Sequence, residues 1–175
     1  MAEAEAEPEV RAPRAVNPEH AFLLQVVQPG LAGLMDGSVS TLAPVFATAF
    51  ATHHSHTAFL VGVAAAVGAG ISMAFAEGLS DDGQLTGRGN PLGRGAIIGL
   101  MTFAGGIGHA LPFLFPSLHT ALLVAYFVVA VELGAIAWIR NRYFGTSMLL
   151  SVLQVVIGGA LVFGAGVFIG TRVGG

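Results

Sequence analysis

The feature that most narrows what this chain can fold into is a series of five long apolar stretches. They cover 30–51, 57–79, 94–115, 118–139 and 147–170. Each is close to the roughly 20 residues a helix needs to cross about 30 Å of hydrocarbon. Only helices and closed barrels satisfy every backbone polar group inside lipid, and stretches this long suit helices. The expected class is therefore an all-α integral membrane protein with five transmembrane helices. Composition agrees: 10% of the 175 residues are charged, against about 25% in a soluble domain. The stretches leave no room for a sizeable soluble domain besides.

The ends read differently. The first sixteen residues carry Glu3, Glu5, Glu7 and Glu9 among prolines. A secretory leader would begin basic and run at once into an apolar core, so 1–16 reads as a disordered acidic tail. From Asn17 to Pro29, a capping residue precedes Pro18, and Phe22, Leu23, Val26 and Val27 recur at helical spacing. Pro29-Gly30 is expected to break this helix, which makes 17–29 a cytoplasmic interfacial helix. The alternative is a simple extension of the first span. The membrane domain proper is expected over 30–171, with 172–175 as a short tail.

Arginine sets the orientation. All seven basic residues are Arg. With five crossings, Arg11, Arg14, Arg88, Arg94, Arg140 and Arg142 fall on one side and Arg172 alone on the other. The positive-inside rule puts the N-terminus in the cytoplasm and the C-terminus outside. Four or six crossings would spoil that alternation. Small residues recur at four-residue spacing: Gly33 and Gly37, Gly95 and Gly99, Gly166 and Gly170, and Gly62, Ala66 and Gly70. Such spacing lets helix backbones approach closely in lipid.

Few ionisable groups lie inside the spans: Asp36, Glu77 and Glu132, with His109 toward the outer side. A charge at the bilayer centre costs roughly 3 kcal/mol on insertion scales, so such groups face a partner or a cavity. At 1.5 Å per residue, Asp36 and Met73 lie about 10 Å from the cytoplasmic ends of their helices, as do Glu132 and Gln154. Met73 and Glu77 share a helix face, which Ser80 and Asp81 continue toward the cytoplasmic mouth. Carboxylates suit Mn(II) and Fe(II), and a thioether adds preference for softer metals. Asp36, Met73 and Glu77 are therefore the expected metal path. Asp81, Asp82, Glu132 and Gln154 are weaker candidates for lining it. Each has a plain reading too. Met73 fills a core, Glu77 sits at a helix end, Glu132 pairs with an Arg or a subunit, and Gln154 links helices. His53, His54 and His56 form an outer-loop tract that suits either metal release or simple solvation.

Other classes are excluded. There is no cysteine, hence no disulfide framework or thiolate site. No glycine cluster precedes a Lys-Ser or Lys-Thr pair, and no basic patch suits nucleic acid. No enzyme signature appears, and no resident cofactor is expected.

At Gly33-Leu-Met-Asp36-Gly37-Ser-Val-Ser-Thr41 and Ser72-Met73-Ala-Phe-Ala-Glu77 the chain resembles the vacuolar iron transporter family. The fifth span, with Gln154 and Gly158-Gly159, is similar to that family's last helix. Gln28-Pro29-Gly30, Gly-His109-Ala-Leu-Pro112 and Ile139-Arg-Asn-Arg142-Tyr look most like the membrane half of bacterial membrane-bound ferritins. The resemblance implies a homodimer in a bacterial inner membrane that exports Fe(II) or Mn(II) in exchange for protons. Asp36 and Met73 would line the path, with Glu77 beside them. Two departures stand out. No Glu-x-x-His pair precedes the first span, so the ferritin-like domain of those relatives is not expected within these residues, which suits either a stand-alone relative or a shortened form of a longer chain. The connection over 80–93 is far shorter than the family's metal-collecting domain. A rival reading follows from the first departure: a non-transporting membrane anchor or assembly subunit for a separate ferritin-like protein. A passive channel is a third reading.

Overall fold

The computed structural model describes residues 17–80, 82–83 and 86–173. The expected acidic tail and Asp81 lie outside the described residues. Five helices are long and apolar enough to cross a membrane. They are α1 (Pro18–Thr52), α2 (Ser55–Gly78), α3 (Pro91–Ala110, followed by a 3-10 turn at Leu111–Leu114), α4 (Leu118–Phe144) and α5 (Met148–Val173). No strand occurs among the described residues.

Local chemistry sets the helix ends. Asn17 Oδ1 accepts from the Glu19 amide at 3.2 Å, with Pro18 in the first turn. Asn90 and Pro91 repeat the device at α3, where Asn90 Oδ1 accepts from the Leu92 amide at 2.9 Å. Gly145 closes α4 in the left-handed region (φ 64°). His53 does the same for α1 (φ 56°), a conformation rare for a residue with a side chain.

The expected break at Pro29-Gly30 is corrected. The helix runs on from Pro18 to Thr52, and Pro29 is buried in it. The reason is a wide turn just upstream. Leu23–Val27 is π-helical, and the Gln28 amide donates to Leu23 O, five residues back. Proline clashes with the carbonyl four residues before it. A wide turn at that place relieves the clash, so the segment 17–29 is the beginning of α1.

Glycine places the helices. A methyl added at Gly33 would strike the Ile98 backbone, and one at Gly37 the Thr102 carbonyl. Between α2 and α3, an added methyl at Gly95 would lie 2.7 Å from Ala74 O, and one at Gly70 2.9 Å from Gly99 O. Between α1 and α5, Gly166 meets Ala43 in the same way. Helices in lipid gain little from burying apolar surface, so close backbone packing carries the association. It makes α3 the most enclosed helix and leaves α4 and α5 facing outward over most of their surface. Beyond the glycines, Phe46 of α1 anchors an aromatic cluster with Phe113, Tyr126 and Phe163, at centroid distances of 6.0, 5.7 and 4.9 Å.

Candidate functional site

Three carboxylates lie in the membrane-spanning helices away from their first turns, and the structure treats each differently. Glu77 closes α2 beside the connection to α3. Its Oε1 lies 2.7 Å from Arg94 Nε and 2.7 Å from Arg88 Nη2. Arg94 is only 1% exposed, and its Nη1 also donates to the carbonyls of Arg88 (3.1 Å) and Gly89 (3.0 Å). The connection thus wraps around a buried guanidinium. Gly83 (φ 76°) and Gly89 (φ 69°) allow the wrap, since a side chain at Gly83 would strike the Gly89 carbonyl. Asp82 is exposed on this connection.

Glu132, on α4, reaches into the centre of the bundle. Its Oε2 lies 2.7 Å from His109 Nε2 on α3, off the line of the ring N–H. Its Oε1 accepts from Ser38 Oγ of α1 at 2.5 Å. His109 Nδ1 in turn lies 3.2 Å from Thr41 Oγ1, also on α1. His109 is 1% exposed and Glu132 11%. Three helices therefore share one buried polar cluster. Gly105 makes room for it: an added methyl there would lie 2.9 Å from Glu132 Oε1.

Asp36 is the third. It is half-buried on α1. Among the described residues, no hydrogen bond or ion pair reaches its carboxylate. Its face of α1 includes Ser40, four residues on and exposed. Pro44 stands inside α1, so the Ser40 carbonyl loses the amide that would normally satisfy it. A carboxylate and a freed carbonyl therefore share one face.

The remaining expected residues are scattered. Met73 is half-buried on α2, one turn before Glu77. Gln154 is exposed and accepts from Arg140 Nη2 at 2.7 Å, tying α5 to α4. His53, His54 and His56 are exposed. His53 ends α1, and the His54 amide donates to Thr52 Oγ1 at 3.2 Å. Among the described residues, no group of three or more His, Cys, Asp or Glu side chains is arranged to hold a metal.

The shared depth inferred for Asp36, Met73, Glu77 and Glu132 thus does not translate into direct polar contact. Sequence reasoning missed His109 and Ser38 as the partners of Glu132, Thr41 as the neighbour of His109, and Arg94 as the partner of Glu77. The signal for His109 was present: with Glu132, it is one of very few ionisable groups inside the spans. No family model, curated protein or solved structure matches the chain.

Proposed function

We propose that the chain is a divalent-metal transporter that exports Fe(II) or Mn(II) from the cytoplasm in exchange for protons. The observation that carries this reading is the state of Asp36. Of the three carboxylates within the spans, Glu77 is matched by two arginines and Glu132 by a histidine and a hydroxyl. Asp36 has no such partner among the described residues. A carboxylate inside a membrane requires a cation or a proton, and its usual role there is in an ion path. The freed Ser40 carbonyl supplies a second hard oxygen on the same face, which suits Fe(II) and Mn(II). Met73 would add the softer ligand that discriminates against Mg(II).

In this reading the N-terminus is cytoplasmic, the C-terminus lies outside, and the host membrane is a bacterial inner membrane. The protein works as a homodimer. The half-exposed face of α1 bearing Asp36, Val39 and Ser40 is where a second copy would enclose the path. Glu77 serves the entrance only indirectly, because its charge is already committed to Arg88 and Arg94. The test is Fe(II) uptake into liposomes holding the purified protein, with and without a pH gradient. Asp36→Ala is expected to abolish uptake. Uptake undiminished in that variant would overturn the assignment.

A further inference from the structure

We propose that His109 and Glu132 form a buried proton-binding site, and that Thr41 Oγ1 is the hydroxyl that reports whether it is loaded. The argument is a count of hydrogens. A threonine hydroxyl has one hydrogen to give. Thr41 Oγ1 stands 2.7 Å from the Gly37 carbonyl and 3.2 Å from His109 Nδ1. When the shorter contact takes the hydrogen, the hydroxyl presents a lone pair toward His109. His109 must then carry a hydrogen on Nδ1. Its other nitrogen, Nε2, lies 2.7 Å from Glu132 Oε2. Two lone pairs would repel at that distance, so a second proton is held by the pair, with Oε2 displaced from the ring N–H line. With the hydroxyl turned this way, the arrangement holds one proton more than a neutral imidazole beside an ionised carboxylate.

The same heavy atoms also accommodate the unloaded state. If the Thr41 hydroxyl turns toward Nδ1, the imidazole needs only one hydrogen, on Nε2, which faces the carboxylate. One proton has left, and the pair has gone from neutral to a net charge of −1. Only a hydroxyl has rotated. In a core of low polarity the neutral state of such a pair is the less costly one. A cation arriving nearby stabilises the negative state and favours release. Ser38, two residues from Asp36 on α1, donates to Glu132 Oε1. Through it the pair is attached to the helix that carries the proposed metal ligand. This coupling role rests on the transport reading, but the proton site does not.

Among the described residues, no other charged side chain forms an ion pair with either group. On α1 it is faced by the hydroxyls of Ser38 and Thr41, with Asp36 the nearest titratable group along that helix. On α2 the titratable residues are His56 and Glu77, and Glu77 is tied to Arg88 and Arg94 at the helix end. On α4 the exposed His119 and Tyr126 lie outward of Glu132 along the helix, with Arg140, Arg142 and Tyr143 beyond it at the other end. On α5 the one charged residue is Arg172, at its far end.

The decisive measurement is nitrogen NMR of the histidines of the full chain in lipid nanodiscs without metal. The His109 signals are identified by their loss in His109→Gln. Both His109 nitrogens are expected to move reversibly between one-proton and two-proton values as pH is raised, and Thr41→Val is expected to displace that transition. Glu132→Gln should leave His109 with a single proton throughout. A His109 signal that stays unchanged with pH, or an unaltered transition in Glu132→Gln, would overturn the proposal. The coupling role is tested in liposomes. His109→Gln and Glu132→Gln should each lose the stimulation of Fe(II) uptake by a pH gradient. Retained stimulation would sink the coupling role. A wild-type protein without any pH stimulation would instead sink the antiport reading, and the NMR titration would still decide the proton site.

Discussion

Two carboxylates of this bundle are both drawn inward and both paired, yet they are paired in opposite ways. Glu77 meets two arginines at the end of α2, where one connection folds around Arg94. Glu132 meets a histidine and a serine in the middle of the bundle. Arginine keeps its charge under all ordinary conditions, whereas histidine can lose or gain a proton. The first cluster is therefore fixed in charge and acts as a clasp. The second can change its charge without moving its heavy atoms. Placing the permanent charges at the end of the bundle and the exchangeable ones at its centre also follows the cost of burial. A permanent ion in the middle of the membrane needs a permanent counter-ion, while a His–Glu pair can become neutral.

The sharpest way to break this contrast is at Arg94. Arg94→Met leaves the Arg88 and Gly89 carbonyls without their donor and Glu77 with one arginine. Breaking a buried ion pair costs about 3–5 kcal/mol, and thermal unfolding in detergent should show the largest loss of any variant considered. Adding Glu77→Gln to that variant should cost less than the sum of the two single changes, because the orphaned charge is removed.

Next in size is Gly37→Val. The new side chain would meet the Thr102 carbonyl and force α1 away from α3. Overpacking of this kind costs about 1–3 kcal/mol. Since Ser38 and Thr41 lie on the displaced segment, the His109 signals should change as well, while the clasp at Arg94 stays intact. A variant that loosened both clusters equally would show that they do not behave as separate units.

Glu132→Gln should cost less again, about 1 kcal/mol, the scale of one hydrogen bond. The glutamine still accepts from Ser38, and His109 can shed its extra proton and remain neutral. Neither escape exists for the arginines around Glu77. If Glu132→Gln destabilised as severely as Arg94→Met, the central cluster would be a clasp too, and its exchangeable character would be lost.

These contrasts also mark what the amino-acid sequence could tell. Apart from the start of the first, the five spans end within a few residues of the observed helix ends, because twenty consecutive apolar residues leave little choice in lipid. The small-residue pairs at Gly33, Gly37, Gly95, Gly99 and Gly166 do sit at close helix contacts. Pro29 misled, because a proline usually ends a helix, and nothing in the local pattern announces the π turn that lets this one continue. The polar partners were beyond reach for a different reason. Glu132 and His109 are 23 positions apart on antiparallel neighbours, and reckoning depth from helix ends separates them. Side chains of this length span several ångströms along the membrane normal, and the starting points of helices are uncertain by a turn. Depth alone therefore cannot say which groups touch. Arg94 was read as an orientation signal, and its second role appears only once the connection is seen folded over it.

The smallest effect on stability is expected where the effect on transport is largest. Asp36→Asn keeps the shape of the side chain and removes no hydrogen bond or ion pair within the described residues. Substitutions away from such contacts usually change stability by no more than about 0.5 kcal/mol, and removing an unmatched charge from a membrane helix could even favour folding. The unfolding temperature should therefore stay within a degree or two of wild type, on the scale at which about 1 kcal/mol moves a domain of this size by a few degrees. Fe(II) uptake by the same preparation should nevertheless be lost. That separation would set Asp36 apart from both paired carboxylates, since Glu77 holds the fold and Glu132 adjusts the charge of its core. A strong destabilisation by Asp36→Asn would instead mean that Asp36 has a structural partner, such as a second copy of the chain, and the comparison would then need three clasps rather than one.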